Sequence, residues 1–473
     1  MKRNVLIGML MLTIASLLMC FPAGPALSAE GEISYIIKLK EPPSDALSLF
    51  EEASSLQEIC GSLGLYTLRD PDDLEYLREN GLLEYAEPDY EVTLFAQEDV
   101  NGSVDLWHLE MLGSSEVTEF GCFGQWIRVG IIDSGAINHA DLEGNLLPGY
   151  NYLTDSEDVT DNIGHGTFVA GLIAALDNGQ GVTGIAPHAK IVPLKCFDAN
   201  ETTRVSTICR AIYDAVDTYG CDLINMSFGV KSYSQTLESA INHAYDNGVI
   251  SVASVGNLGN TEIYYPAAFS NVIGVGAVDS QSELASFSQT NSSVFVVAPG
   301  KAVYSTNYTG GYATKNGTSF SAPLVAGCIA RLLNVDPALT PQTVADALAA
   351  CAADLGDAGY DTSYGYGMVS LPDTIQYLLE DQPYFLAPFL VNGEDLQIKF
   401  INFTEETFTG QCYFQEFNNG LMVDITFCDI VLEPGGVFET SFPRSQYSVK
   451  CCVWRSLSDI SAITNYRECE GTS

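Results

Sequence analysis

Arg128-Val129-Gly130-Ile131-Ile132-Asp133-Ser134-Gly135 is an apolar run that ends on a carboxylate and a turn. Its first part reads as a buried strand, because the apolar residues are not broken by the polar alternation of a half-exposed one. Similar short runs follow at Ile191–Leu194, Leu223–Met226, Val249–Ser254 and Val272–Val275, separated by Gly- and Ala-rich stretches with helical spacing. Strands alternating with helices are the pattern of a parallel sheet with crossover connections, so residues 99–380 read as an α/β unit.

The flanks differ. From Ile33 to Phe95, Ser34–Lys40 reads as a strand, Pro42-Pro43-Ser44-Asp45 opens a helix carrying Leu47, Phe50 and Leu56, and Pro71-Asp72-Asp73 opens a second helix. A strand around Leu83–Leu94 closes this small α+β unit, which is marginal alone by surface-to-volume scaling. Beyond Gln382 the chain alternates in strand fashion between glycine turns, so residues 381–473 read as a β-rich domain with no catalytic constellation. At the amino end, Lys2 and Arg3 precede an apolar stretch from Val5 to Phe21, followed by Ala26, Ser28 and Ala29, the layout of a cleaved secretory signal over residues 1–29. No later stretch is long and apolar enough to span a bilayer, so no transmembrane anchor is expected.

The 473 residues include 60 acidic and 20 basic side chains, for a net charge of −40. That sign disfavours nucleic acid as a partner. Removing the signal takes away two cations and no anions, leaving −42. Of the 13 cysteines, none stands at a metal-ligand spacing. Those left after removal of Cys20 and Cys60 are odd in number, so they cannot all pair, and a reducing or anoxic habitat suits them.

Three further stretches carry chemistry beside Asp133. In Gly164-His165-Gly166-Thr167, glycines flank an imidazole that opens a helical pattern at Val169, Leu172, Ile173 and Leu176. They allow close approach of backbone and substrate. In Asn316-Gly317-Thr318-Ser319-Phe320-Ser321-Ala322-Pro323 a serine falls near a helix start, where orphan N–H groups favour a developing anion. In Val255-Gly256-Asn257 an amide side chain follows a strand. Each alone reads as a cap or a turn. Together, Asp, His and Ser in this chain order, with an Asn donor between His and Ser, match the triad order of subtilisin.

The chain resembles the subtilisin-like serine proteases, the subtilase family. The resemblance implies a subtilisin-like parallel sheet flanked by helices, preceded by an α+β propeptide over residues 30–98. Separately, the stretch 449–458 resembles a strand of a small β-sandwich module found at the ends of secreted bacterial proteins, so a small β-sandwich is expected at the C-terminal end. The subtilase resemblance also implies an Asp133–His165–Ser319 triad with Asn257 in the oxyanion hole, and a secreted endopeptidase acting on polypeptide substrates. The propeptide would act as the chain's own inhibitor, with its tail in the substrate cleft and self-cleavage between Phe95 and Gly102. Ser227, Phe228 and Gly229 correspond to the segment on which subtilases lay the substrate. Tyr264 falls at the base of the primary specificity pocket, where a ring is expected to shorten the pocket and favour small or medium apolar residues. A structural Ca²⁺ is implied at Asp141, Leu176, Asn178, Gln180 and Val182, an oxygen set suited to a hard cation. Phe320, Ser321 and Leu324 depart from the family's usual Met, Ala and His beside the nucleophile. A monomer is expected. The competing reading from a different class is a catalytically silent scaffold that kept the fold.

Overall fold

The computed structural model describes residues 34–40, 56–95, 98–100, 105–380, 382, 384–387, 390–392, 395–418, 421–443, 448–454 and 467–469. The expected signal segment and the helix opening at Pro42 lie outside these residues. At the amino end, β1 (Tyr35–Leu39), β2 (Leu56–Cys60), β3 (Leu65–Leu68) and β4 (Leu83–Pro88) form an antiparallel sheet in the order β2-β3-β1-β4. Leu56 thus begins a strand instead of belonging to a helix. The helix Pro71–Glu79 forms as expected: Asp70 caps it, accepting from the Asp72 N–H at 2.8 Å, and Pro71 needs no partner at its first position. Leu74 and Leu77 on its inner face join Ile37, Leu39, Tyr66 and Leu68 in a separate small core.

The expected closing strand is two strands, because β4 ends at Pro88 and β5 (Glu91–Leu94) leaves the sheet for the central unit. A further strand, β6 (Glu98–Val100), follows. The centre is built on β7 (Arg128–Asp133), β8 (Tyr150–Asn151), β9 (Lys190–Lys195), β10 (Thr202–Arg204), β11 (Leu223–Met226), β12 (Phe228–Gly229), β13 (Ile250–Ser254), β14 (Val272–Val278), β15 (Val296–Pro299), β16 (Val303–Thr306) and β17 (Tyr312–Asn316). Seven of these make one parallel sheet in the order β15-β14-β13-β11-β7-β9-β8. Its outermost strands, β8 and β15, escaped the sequence reading because two or four residues give no usable periodicity.

Helices cover both faces. The helices His165–Ala174 and Thr318–Val335 lie in one apolar core and Val205–Asp217 and Gln235–Asp246 in the other. Among the described residues Thr318–Val335 is the one helix long and apolar enough to cross a membrane, and every residue of it is buried in the protein. Parallel strands put all their carboxyl ends on one edge, the usual site of ligands in open α/β sheets. Asp133 ends β7, Ser227 follows β11 and Asn257 lies just past β13, so the candidate residues gather there.

The C-terminal part contains two antiparallel sheets. One joins β18 (Tyr384–Leu386), β19 (Leu390–Asn392), β20 (Asp395–Asn402) and β23 (Val437–Pro443). The other has the order β22-β21-β24-β25, from β21 (Phe408–Asn418), β22 (Leu421–Leu432), β24 (Ser448–Trp454) and β25 (Arg467–Cys469). Phe414 of one sheet stacks on Phe442 of the other at 4.3 Å, and Phe400 meets Phe408 at 5.1 Å, in a core between the sheets. This part is fastened to the central unit by Phe385, which is buried edge-on against Phe120 with ring centroids 5.9 Å apart.

Candidate active site

Asp133 and His165 come together although 32 residues separate them. His165 Nδ1 lies 2.7 Å from Asp133 Oδ1 and 2.8 Å from Oδ2, and both side chains are buried. The approach depends on glycine: a Cβ at Gly166 would stand 2.1 Å from the Gly135 carbonyl oxygen. Gly164, at φ 93°, makes the turn into the helix that His165 begins. The side of the imidazole away from Asp133 is also buried, and Nε2 has no hydrogen-bond partner among the described residues.

A second carboxylate, which the sequence reading missed, braces this pair. Asp161 Oδ1 accepts from the N–H groups of Ile163 and Gly164 and from the Ser134 hydroxyl. Its Oδ2 accepts from the N–H and hydroxyl of Thr167 at 2.9 and 2.7 Å. Asp161 therefore caps the His165 helix and ties it to the turn after Asp133. An acid shortly before a helix start was the available signal. Lys195, opposite Asp133 in the register, donates to the Ser134 carbonyl. Burial pushes the Lys195 ammonium down in pKa, and Asp161, Asp133 and Asp158 pull it back up.

Ser319 is the second residue of the Thr318–Val335 helix. The helix begins at Gly317, which offers no side-chain cap. Asn257 supplies one from 61 residues back: its Oδ1 accepts from the Thr318 N–H at 2.8 Å and from the Thr318 hydroxyl at 2.7 Å. That anchors the amide and sets Nδ2 beside Gly317, 3.1 Å from where a Cβ there would lie. Ser227 brackets the serine, donating from Oγ to the Ser319 carbonyl at 2.9 Å while its own carbonyl accepts from Ser319 Oγ at 3.3 Å. Asn225, also missed in sequence, donates to Ser227 Oγ at 3.0 Å.

The segment Ser227–Gly229 carries an extended chain, the protein's own. β5 lies between β10 and β12, with Thr93 opposite Gly229 and Leu94 opposite Phe228. Glu87 caps the Gln235–Asp246 helix by accepting from the Gln235 and Thr236 N–H groups, each at 2.9 Å, and from the Ser234 hydroxyl. Asp89 does the same for Val205–Asp217 through the N–H and hydroxyl of Ser206. Burial raises the Asp89 pKa, and the two Ser206 hydrogen bonds oppose that shift. Beside this segment, Tyr264 meets the Phe95 ring edge-on, with ring centroids 5.1 Å apart.

Asp141 lies against the loop Leu176–Val182. Its carboxylate accepts from Asn178 Nδ2 at 3.2 Å, the Val182 N–H at 3.1 Å and the Tyr312 hydroxyl at 2.7 Å, and its carbonyl accepts from the Leu176 N–H. The Tyr312 phenol is pushed up to about 12 by burial, aided by Asp141. All three groups facing the carboxylate are donors, so a hard cation here would need the Asn178 amide turned and the carbonyl oxygens of the loop brought inward. Among the described residues no group of three or more His, Cys, Asp or Glu side chains could hold a metal by itself.

The subtilase family signature matches residues 124–367, just over half the chain. This chain belongs to the subtilase family. The minor extracellular protease Epr of Bacillus subtilis is 37% identical over 302 residues, 64% of this chain and 46% of its own length, so the chain spans less than half of that relative. Subtilisin DY of Bacillus licheniformis is 38% identical over 273 residues, 57% of this chain and 97% of its own. Among solved structures, fervidolysin from Fervidobacterium pennivorans, a keratinolytic enzyme related to subtilisin, superposes with TM-score 0.68 and 24% identity over 90% of this chain and 72% of its own. That likeness is one of fold. As a subtilase, the protein is a subtilisin-like serine protease by family, and its substrates are polypeptides.

Proposed function

We propose that the chain is a secreted serine endopeptidase made as a self-processed precursor. Residues 1–29 are its signal, 30–98 its propeptide and inhibitor, 99–380 the catalytic domain and 381–473 a C-terminal β-rich domain. The observation that carries the reading is the buried Asp133–His165 contact of 2.7 Å beside the helix start that bears Ser319. Ser319 Oγ attacks the scissile carbonyl carbon while its proton passes to His165 Nε2. Asp133 fixes the tautomer with Nδ1–H and stabilises the imidazolium. The oxyanion accepts from Asn257 Nδ2–H and the Ser319 N–H. His165 then gives the proton to the leaving amine, and water hydrolyses the acyl-enzyme by the same steps.

The Ser319 hydroxyl, hydrogen-bonded to the Ser227 carbonyl, turns toward Nε2 for the reaction; such bonds tighten only with substrate in place. A fluorophosphonate probe labels Ser319, and Ser319→Ala loses both labelling and peptide hydrolysis; hydrolysis persisting in that variant removes the reading. Subtilases as a family generally bind structural calcium. Here Ca²⁺ would be held by Asp141 and Asn178 side chains and the carbonyls of Leu176, Gln180 and Val182, where it would stiffen the loop. EGTA then lowers the melting temperature, and an unchanged value takes calcium out of the account. The mature enzyme is a monomer whose acidity draws neutral and basic polypeptides, less so as salt rises.

A further inference from the structure

Three cysteines meet on the inner face of the sheet that holds β22, β21 and β24. Cys412 of β21 stands directly opposite Cys428 of β22 in the register. On the β24 side, Cys412 Sγ touches Cys451 Sγ at 3.4 Å. Cys412 pairs with Val453 and Cys451 with Phe414, so these two cysteines are diagonal neighbours across adjacent strands. Both are fully buried in the core with Phe414, Ile430, Val449 and Val453, and Cys428 packs half-buried against the same core.

A disulfide holds its sulfurs about 2.05 Å apart, so closing the Cys412–Cys451 gap takes little more than about 1 Å of movement. The chain between Cys412 and Cys451 contains β22 and β23, which lie in different sheets. A bond here would therefore close a strand of each sheet into one loop and restrict the unfolded tail. Cys428, the least buried of the three, is the one that a molecule from solvent can reach. Burial pushes its thiol up to about 11, with Cys412 and Asp429 adding to the shift, so its thiolate is scarce at neutral pH and the reaction there is slow.

We propose that Cys412 and Cys451 are a disulfide site, and that Cys428 is the thiol through which a small-molecule disulfide, RSSR, installs the bond. The inference goes beyond the protease reading and does not depend on it. The Cys428 sulfur attacks one sulfur of RSSR, and RSH leaves with the proton that Cys428 gave up. Cys412 then attacks Cys428 Sγ and displaces the second RSH, which takes the Cys412 proton. Cys451 attacks Cys412 Sγ in turn, and its proton returns Cys428 to the thiol. Two protein thiols are oxidised and one RSSR is reduced to two RSH.

The full-length Ser319→Ala chain, purified without oxygen and incubated with oxidised glutathione, tests the site by chymotryptic peptide mapping in a mass spectrometer. Cys412 is expected joined to Cys451, and Cys452→Ser keeps that bond. Cys451→Ser stops with Cys412 joined to Cys428, Cys412→Ser stops with glutathione on Cys428, and Cys428→Ser slows the Cys412–Cys451 bond at least tenfold. The map of the chain with all its cysteines decides the site even if a variant misfolds. Cys412 and Cys451 that stay thiols, or that pair with Cys452 or Cys469, overturn the proposal. An unchanged rate in Cys428→Ser overturns the route.

Discussion

β13 and β14 are buried at every position, whereas β22 leaves its first seven residues exposed. The central strands have helices on both faces, so their exceptions are polar: Asn225, Ser254 and Asp133 lie among apolar neighbours, and Asp133 and Asn225 are held by hydrogen bonds that reach the candidate site. β22 is the edge of its sheet, and its exceptions are apolar: Leu421 is 74% exposed, Val431 65% and Phe427 59%. Burying a polar group costs free energy unless hydrogen bonds offset it, which they do at Asp133, while the Ser254 hydroxyl has no partner among the described residues. An apolar group on an open edge marks a surface that nothing among the described residues covers.

If the buried polar groups of the centre serve chemistry, Asn257→Ala lowers kcat by about 10²–10³-fold with a smaller change in KM, read on a chromogenic peptide. An unchanged kcat reduces Asn257 to a helix cap. The two regions share a seam at Phe385, and Phe385→Ala costs about 3–5 kcal/mol in chemical denaturation of the whole chain. A change confined to a separate tail transition would show the regions to be independent.

His108 gives a pH test of the central unit. Burial lowers its pKa to about 4 from 6.5, so between those values the unfolded chain takes up a proton that the folded one refuses. Stability is whole above pH 6.5 and falls by about 3 kcal/mol as pH drops to 4. His108→Phe flattens that part of a denaturation-against-pH profile. The smallest effect is expected on the edge: Phe427→Lys changes stability by no more than about 0.5 kcal/mol in chemical denaturation. A large fall in melting temperature would mean the strand is not open.

The contrast also explains what could be read in the sequence. Doubly buried parallel strands write themselves as unbroken apolar runs, so β7, β11, β13 and β14 were legible, as were the polar residues that break the pattern at Asp133, His165, Asn257 and Ser319. Positions that work through distant partners were not. Asp161, Asn225 and Lys195 look ordinary in sequence, and only the fold brings them to the candidate site.

The carboxylates of Glu87 and Asp89 carry a last consequence. Two helices of the central unit take their N-terminal partners from β4 and the turn after it, within the segment proposed as the propeptide. Under the proposed self-processing, loss of that segment would return the N–H groups of Gln235, Thr236 and Ser206 to water. Maturation would then be a one-way gate: the template that aligned those helices would be consumed by the activity it made possible, and an unfolded mature chain would have to search for its fold without it.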